Sequence, residues 1–316
     1  MAVANQTAEG IEEYKSPTIW SKLGGGLGLV WRSRVATVGF LIVAFWIIMA
    51  LFADNCLISP QCWIGSNDFE PTPLLARYPP LKQFAGDNLQ GPTAKHWLGT
   101  DRSGRDLYAR LIHGSRIILT VAPFSILIAL IIGGGLGVIA GYFGGIIDEI
   151  IMRVLDGLMA FPQILLYLVI IAALGATVLN IIIAITLAGI PGIARMVRGL
   201  TLDIKTRDYV AAAQTRGESA AYIMLVEILP NASGPIIIDA MLRVGYAIFA
   251  IGTLGFIGLG LPPPSPDWGS MVLSGRRLIQ AGHPWEALWP SLAIATLVVG
   301  LNLMADGLNE ETQRYR

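Results

Sequence analysis

Charged side chains are scarce in this sequence, so the places where they gather are where binding or catalytic chemistry is expected. Asp, Glu, Lys and Arg make up 14% of the 316 residues. One group lies in residues 205–230, which read KTRDYVAAAQTRGESAAYIMLVEILP between long apolar segments. A second group is the cluster of opposite charges at residues 96–116, and a third is the pair Asp239 and Arg243 inside an apolar run.

Sequence motifs for nucleotide binding and hydrolysis do not occur in the chain. We find no GxxxxGK[ST] phosphate loop, no HExxH metal motif and no GxSxG nucleophile elbow. The three histidines, His96, His113 and His283, all lie in polar flanks. We therefore expect no catalytic residue, no metal site and no bound cofactor in this chain, and its net charge of zero gives no indication of nucleic-acid binding.

The pair Asp239 and Arg243 is spaced by four residues, which places both side chains on one face of a helix. Ionisable residues at membrane depth normally pair with each other or face an interior. Two interpretations stay open here: a structural ion pair near the inner membrane surface, or a contact with a transported substrate.

Cys56 and Cys62 are the only cysteines, and both lie in a segment that we predict to be outside the cell membrane. Oxidising surroundings permit a disulfide there, and the short separation makes a feasible loop. Two unpaired or metal-binding thiols are the alternative, although no histidine lies beside them.

The composition indicates a membrane protein that would position these groups on helices. Hydrophobic residues make up 54% of the chain, and the mean hydropathy is +0.61. Residues 36–53 form an uncharged run long enough to cross about 30 Å of hydrocarbon, and the Lys and Arg residues before it favour a cytoplasmic N-terminus. We interpret this run as an uncleaved first helix rather than a signal peptide, because the leader is long.

The remaining apolar runs predict five further spans, so that both chain ends are cytoplasmic. The run from Gly157 to Ala194 is too long for one helix and predicts two spans with a turn near Gly175–Asn180. The predicted division of the chain is a cytoplasmic segment (1–35), the first span (36–53), an extracytoplasmic loop (54–115), a five-helix core (116–308) and a cytoplasmic tail (309–316). Within that core, the other predicted spans are 117–142, 235–258 and a sixth between Glu286 and Asp306.

Four glycines follow one another at intervals of four in the predicted second span: Gly133, Gly137, Gly141 and Gly145. On a helix they lie nearly on one face, and the lack of side chains lets another helix approach closely. We predict helix packing along this face, with a flexible glycine-rich helix end as the alternative.

The stretch 205–230 predicts a short helix over Asp208–Thr215, a bend at Gly217 and an end at Pro230, although an ordinary polar loop is also possible. It resembles the cytoplasmic signature loop of permease subunits in ATP-binding-cassette importers. That pattern is Glu-Ala-Ala, three residues, Gly, nine residues, then Ile-x-Leu-Pro. The matching residues are Ala212, Ala213, Gly217, Leu229 and Pro230. Ala211 replaces the expected Glu, and Glu227 replaces the expected Ile.

Two more segments are similar to the dipeptide and oligopeptide branch of these permeases. One is LGTDxxGRD at residues 98–106, whose charges on their own are typical of a solvated face or a salt-bridged cap. The other is FxGLGxxPPxPxWG at residues 256–269, where the prolines indicate an outer loop.

The resemblance implies an all-α membrane protein with the six-helix, MetI-like fold of type I importers, in the bacterial cytoplasmic (inner) membrane. It implies a homologous second permease subunit, two ATPase subunits that bind ATP and Mg, and an extracytoplasmic substrate-binding protein. Alternating access would then import peptides. The implied coupling residues are Asp208, Tyr209, Ala212, Ala213, Gly217, Leu229 and Pro230.

Other functions stay open at this point. Relatives of this branch carry nickel chelates, opines or sugars, and the binding protein selects the ligand. A gradient-driven secondary transporter is a further alternative, but only Asp239 and Arg243 resemble an intramembrane site and no repeated halves are evident. A membrane enzyme is the third class, and no catalytic cluster supports it.

Overall fold

A computed structural model describes residues 31–55 and 72–314 of the chain. Cys56 and Cys62 lie outside the described residues. The helices are α1 (Arg34–Leu51), α2 (Leu107–Phe143), α3 (Gly145–Met159), α4 (Gln163–Leu174), α5 (Val178–Ile204), α6 (Asp208–Thr215), α7 (Ala220–Tyr222), α8 (Leu229–Phe256), α9 (Trp268–Gly275) and α10 (Trp285–Arg314). A π-helical turn, Ile223–Ile228, joins α7 to α8, and the described residues contain no strand beyond three isolated β-bridges.

Five helical segments are long and apolar enough to cross a membrane: α1, α2, α5, the continuous run Ala220–Phe256 and the run Trp285–Glu311 of α10. A sixth candidate span is the pair α3 and α4, which is bent by 80°. Pro162 stands at the break as the residue before α4, where a ring without an N–H group cannot continue the preceding helix. The all-α membrane fold is thus confirmed, with one of its six spans broken.

The helix contacts place the polar segments at opposite ends of the bundle. We call residues 72–106 the cap and residues 205–230 the signature loop. The helices α2 and α5 run parallel, since Gly133 lies against Ile190 and Gly141 lies against Thr201. The cap precedes α2 and the signature loop follows α5, so the two segments lie at opposite ends. The beginning of α1 contacts the end of α10, at the same end as the signature loop.

Three of the four spaced glycines hold α2 against α5. A Cβ atom at Gly133 would lie 2.7 Å from the Ile190 carbonyl oxygen, and one at Gly137 would lie 2.5 Å from that of Ala194. At Gly141 it would meet the Thr201 side chain at 2.7 Å. Gly145 differs, because α2 ends before it, its φ is +54°, and a Cβ there would meet nothing within 4 Å. The predicted packing face therefore contains three glycines, not four.

Several predicted boundaries differ from the observed helices. The helix α2 begins at Leu107 rather than at residue 117, because the Asp106 side chain accepts a hydrogen bond from the Ala109 N–H at 2.8 Å and caps it. Its first turns therefore lie in the region predicted as loop. The fifth span begins at Ala220 rather than at residue 235, and α10 continues to Arg314 through most of the predicted tail.

The cap is held by buried charges rather than by a solvated face. Asp101 is 1% exposed and accepts hydrogen bonds from the backbone N–H groups of Ser103 and Arg105, at 2.8 and 2.9 Å. His96 is fully buried between Asp106, 2.7 Å from its Nδ1, and Asp87, 3.3 Å from its Nε2. Of the two interpretations of this charge cluster, the structure therefore favours the salt-bridged cap.

The segment around α9 closes the same end of the bundle. Trp268 is fully buried, and its Nε1 donates to the Leu111 carbonyl oxygen of α2 at 2.8 Å. Gly114 makes room for it, since a Cβ there would lie 2.5 Å from the indole ring. The segments 98–106 and 256–269, which both resemble the peptide branch of the permeases, are therefore connected through the start of α2.

Candidate functional site: the signature loop

The signature loop begins with α6, which spans Asp208–Thr215 as the sequence predicts. Arg207, just before it, has an extended backbone, and the following residues are rich in alanine, the strongest helix former. Asp208 lies in the first turn, where a carboxylate interacts favourably with the positive end of the helix dipole. A helix of this length is marginal by itself, so packing against the rest of the chain has to support it.

Gly217 ends α6 in a Schellman turn. Its φ is +80°, a left-handed conformation that glycine adopts without a steric cost. The Glu218 N–H donates to the Ala213 carbonyl oxygen at 3.2 Å, and the Gly217 N–H donates to that of Gln214 at 2.9 Å. The glycine of the motif is therefore needed for the bend, and its α-carbon faces open space.

Pro230 does not end the loop, contrary to the prediction. It is the second residue of α8, and it lies inside the continuous helical run Ala220–Phe256. The π-helical turn Ile223–Ile228 precedes it, and the Leu229 N–H donates to the Met224 carbonyl oxygen five residues earlier. This wider turn accommodates a residue that has no N–H group and would clash with a regular α-helical turn.

The two faces of α6 have different surroundings. Val210 and Ala213 are completely buried, in one cluster with Ile204 of α5 and with Ile223 and Ile228 of the π-helical turn. The outer face is exposed and consists of small or polar residues: Asp208, Tyr209, Ala211, Ala212, Gln214 and Thr215. Partial burial raises the pKa of the Tyr209 phenol.

The structure therefore separates the predicted coupling residues into two groups. Tyr209 and Ala212 lie on the exposed face, and Tyr209 is 40% exposed. Ala213 lies on the buried face, and Leu229 packs beside the same cluster. The expectation that Ala212 and Ala213 both offer a contact to another protein is wrong for Ala213, because its side chain is enclosed by its own chain.

Charged residues that the sequence analysis did not connect fix the base of the loop. Lys205 Nζ donates to the Gly141 carbonyl oxygen at 2.8 Å, at the end of α2. Arg198 of α5 makes two hydrogen bonds of 2.5 Å to the carboxylate of Asp148 in α3. The sequence contained a pattern that could have predicted these contacts, since cations cluster at the end of α5 and the first acidic residue after α2 is Asp148. Lys205 thus joins the loop to α2, and Arg198 fixes α5, from which the loop emerges, to α3.

Arg216 lies near the bend, 3.7 Å from Glu218 and 3.7 Å from Glu227. Its side chain is 55% exposed, so these ion pairs contribute little to stability. Glu227, the residue that replaces the isoleucine of the motif, thus takes part in a charge group at the bend.

The pair Asp239 and Arg243 lies in α8, away from the signature loop, and forms an ion pair between Asp239 Oδ2 and Arg243 Nε. Within the described part of the chain, no group of three or more histidine, cysteine, aspartate or glutamate residues is arranged to hold a metal ion. The arrangement of the signature loop is that of a rigidly supported exposed helix, which is suited to binding a protein.

Comparison with known proteins identifies the class. Residues 133–311 match the family described as binding-protein-dependent transport system inner membrane component. This match covers more than half of the chain, so the chain belongs to that family of transport permeases. The predicted resemblance to a permease subunit of an ATP-binding-cassette importer is thereby confirmed.

Individual relatives cover most of the chain. It is 38% identical over 279 residues to the dipeptide transport system permease protein DppC of Alkalihalophilus pseudofirmus, covering 88% of this chain and 85% of the relative. It is 40% identical over 238 residues to the glutathione transport system permease protein GsiD of Pectobacterium atrosepticum, covering 75% and 78%. The same-named protein of Escherichia coli is 38% identical over 281 residues, covering 88% and 86%.

Proposed function

We propose that this chain forms half of a pathway that imports peptides across the bacterial cytoplasmic membrane, driven by separate ATPase subunits. The observation that carries the proposal is the exposed face of α6, small and polar around Ala212, on a base fixed to α2, α3 and α5. A homologous permease supplies the other half of the pathway, and the lipid bilayer surrounds the pair.

The peptide substrate rests on the relatives, which are named for a dipeptide and for glutathione. Both molecules are short peptides that carry free carboxylates at neutral pH. Nickel chelates, opines and oligosaccharides are the alternative substrates, and an extracytoplasmic binding protein makes the selection. The Lys and Arg distribution supports an orientation with the signature loop and both chain ends in the cytoplasm.

The ATPase subunits bind ATP and Mg, and this chain binds no cofactor. The residues of this chain transmit the movement of the ATPase subunits to the membrane helices. Val210 and Ala213 are packed tightly with Ile204 and Ile228, so a displacement of α6 by a partner has to move the adjoining ends of α5 and α8. The helices then alternate between inward-facing and outward-facing arrangements.

The test is reconstitution with a homologous permease, ATPase subunits and a binding protein from the same organism. The purified assembly, placed in lipid vesicles with the binding protein, should hydrolyse ATP faster when a dipeptide or glutathione is added, and should accumulate the peptide. Stimulation by a nickel chelate or an oligosaccharide alone would reject the peptide substrate. Failure of this chain to copurify with any ATPase would reject the importer assembly itself.

A further inference from the structure

The ion pair of α8 occupies an unusual position for charged residues in a membrane helix. Arg243 lies roughly 20 Å along the helix axis from the end of α8 at Phe256, at about 1.5 Å per residue. The side chains of Arg243 and Asp239 are 24% and 27% exposed. Charged groups at such depth do not face hydrocarbon, so this surface faces either a partner chain or water.

A cavity adjoins Arg243, and its mostly apolar lining carries a set of polar side chains on one side. Its volume is about 270 Å³, and α4 and α8 contribute its polar lining: Gln163, Tyr167, Arg243, Tyr246 and Thr253. Tyr246 is 70% exposed on this surface. By contrast, the groove between α1 and α10 is lined almost entirely by apolar side chains such as Leu41, Phe45 and Leu292, which suits lipid.

The neighbouring helix supports the guanidinium group of Arg243. A Cβ atom at Gly192 of α5 would lie 2.7 Å from Arg243 Nη1, so the bare glycine makes room for the side chain. Asp239 accepts a hydrogen bond from Nε on the other side. The guanidinium is thus positioned beside the cavity, and its planar donors match the geometry of a carboxylate.

We propose that this surface of α4 and α8, apolar with polar side chains set into it, lines the substrate path, and that Arg243 binds the carboxylate of a passing peptide. The proposal rests on the proposed function for its substrate. Asp239 keeps the guanidinium partly neutralised, which makes binding weak enough for the peptide to leave. Such reversible binding is what conduction through a membrane pathway requires.

The first experiment tests the water-lined path without any substrate. Tyr246→Cys and Thr253→Cys are compared with Phe45→Cys, whose native side chain is 49% exposed on the apolar α1 surface. All three are made in an assembled transporter from which Cys56, Cys62 and the accessible partner cysteines have been removed. A water-soluble methanethiosulfonate reagent should modify the two α8 cysteines at least about tenfold faster. Equal, slow modification of all three would overturn the proposed path.

The second experiment tests the carboxylate. Uptake of a tripeptide with a free C-terminal carboxylate is compared with uptake of its C-terminal amide. Arg243→Gln should slow the free acid about tenfold more than the amide, while Arg243→Lys should retain much of the preference. Arg195→Gln, which removes an ion pair with Asp156 away from the cavity, is the matched control and should not discriminate.

Equal slowing of both peptides by Arg243→Gln would make Arg243 a structural residue and overturn the carboxylate assignment. If the wild-type assembly transports neither peptide, the proposed peptide function is wrong, and the carboxylate assignment fails with it. The thiol experiment still decides whether the path is water-lined, so the two failures are distinguishable.

Discussion

The cap and the signature loop are the two polar ends of the molecule, and they use their charges in opposite ways. In the cap, Asp101, Asp106 and His96 are buried and bonded to one another or to neighbouring backbone. In the signature loop, the charges lie at the base, at the bend or, for Asp208, in the exposed first turn of α6, whose outer face otherwise exposes small and uncharged polar side chains. The cap satisfies its polar groups internally, whereas α6 presents a surface to a partner.

This difference explains why charge clusters cannot be interpreted from sequence alone. Buried charges that satisfy one another are costly to break singly, since the remaining partner is left without compensation. Exposed ion pairs contribute little, so the surface around them can be rearranged by a partner at low cost. Substitutions in the cap should therefore change stability, and substitutions on the outer face of α6 should change assembly.

The largest effect on stability is expected from Asp106→Ala. This change removes the cap of α2 and leaves His96 without its 2.7 Å partner, which together cost about 3 kcal/mol of folding free energy. The matched change is Asp208→Ala in the exposed first turn of α6, which should cost under about 0.5 kcal/mol. Thermal unfolding of both variants in detergent measures the difference, and similar losses of stability would remove the contrast between the two ends.

A smaller effect is expected from pH. A hydrogen bond from Lys95, with help from His96, lowers the pKa of Asp87 below its usual value of 3.8. Since the folded-state pKa is depressed, ionised Asp87 stabilises the cap above pH 3.8, and this contribution is lost as the pH falls through the folded-state value. Hydrogen exchange of the cap amides, corrected for intrinsic rates, should accelerate on going from pH 5 to pH 3.

Asp87→Asn provides the control for that measurement. The variant should show a smaller pH-dependent change in cap exchange, because its side chain does not titrate. An unchanged pH response in Asp87→Asn would assign the effect to other carboxylates and would contradict the role given to Asp87.

The sequence predicted the parts of the structure that depend on local chemistry. The bounds of α6 follow from its alanines and from Gly217, and the close approach of α2 to α5 follows from three spaced glycines. Prediction from the sequence failed where tertiary contacts override the local preferences of the residues. The charges around Asp106 looked like loop, yet they cap a membrane helix. At the break between α3 and α4, Pro162 indicated a kink, but an uncharged run gives no sign that the chain turns by 80° there.

The inward position of Ala213 could have been predicted. Val210 and Ala213 are three residues apart and share one helix face, and Val210 is the only large aliphatic residue in α6. The motif match treated Ala212 and Ala213 as equivalent, because it compares residue types and ignores the helix face on which each side chain lies. Helix periodicity separates the two alanines, and the structure places only Ala212 outward.

The most direct test of the account compares Ala212→Trp in the signature loop with Ala85→Trp in the cap, both at exposed positions. Each variant is coexpressed with the ATPase subunits, and copurification and peptide uptake are measured at matched membrane levels. We expect Ala212→Trp to insert and fold normally but to lose at least about tenfold in ATPase association or uptake, since it obstructs the docking face. Ala85→Trp should leave ATPase association unchanged. Full association and full transport by Ala212→Trp would contradict the claim that α6 couples this chain to its ATPases.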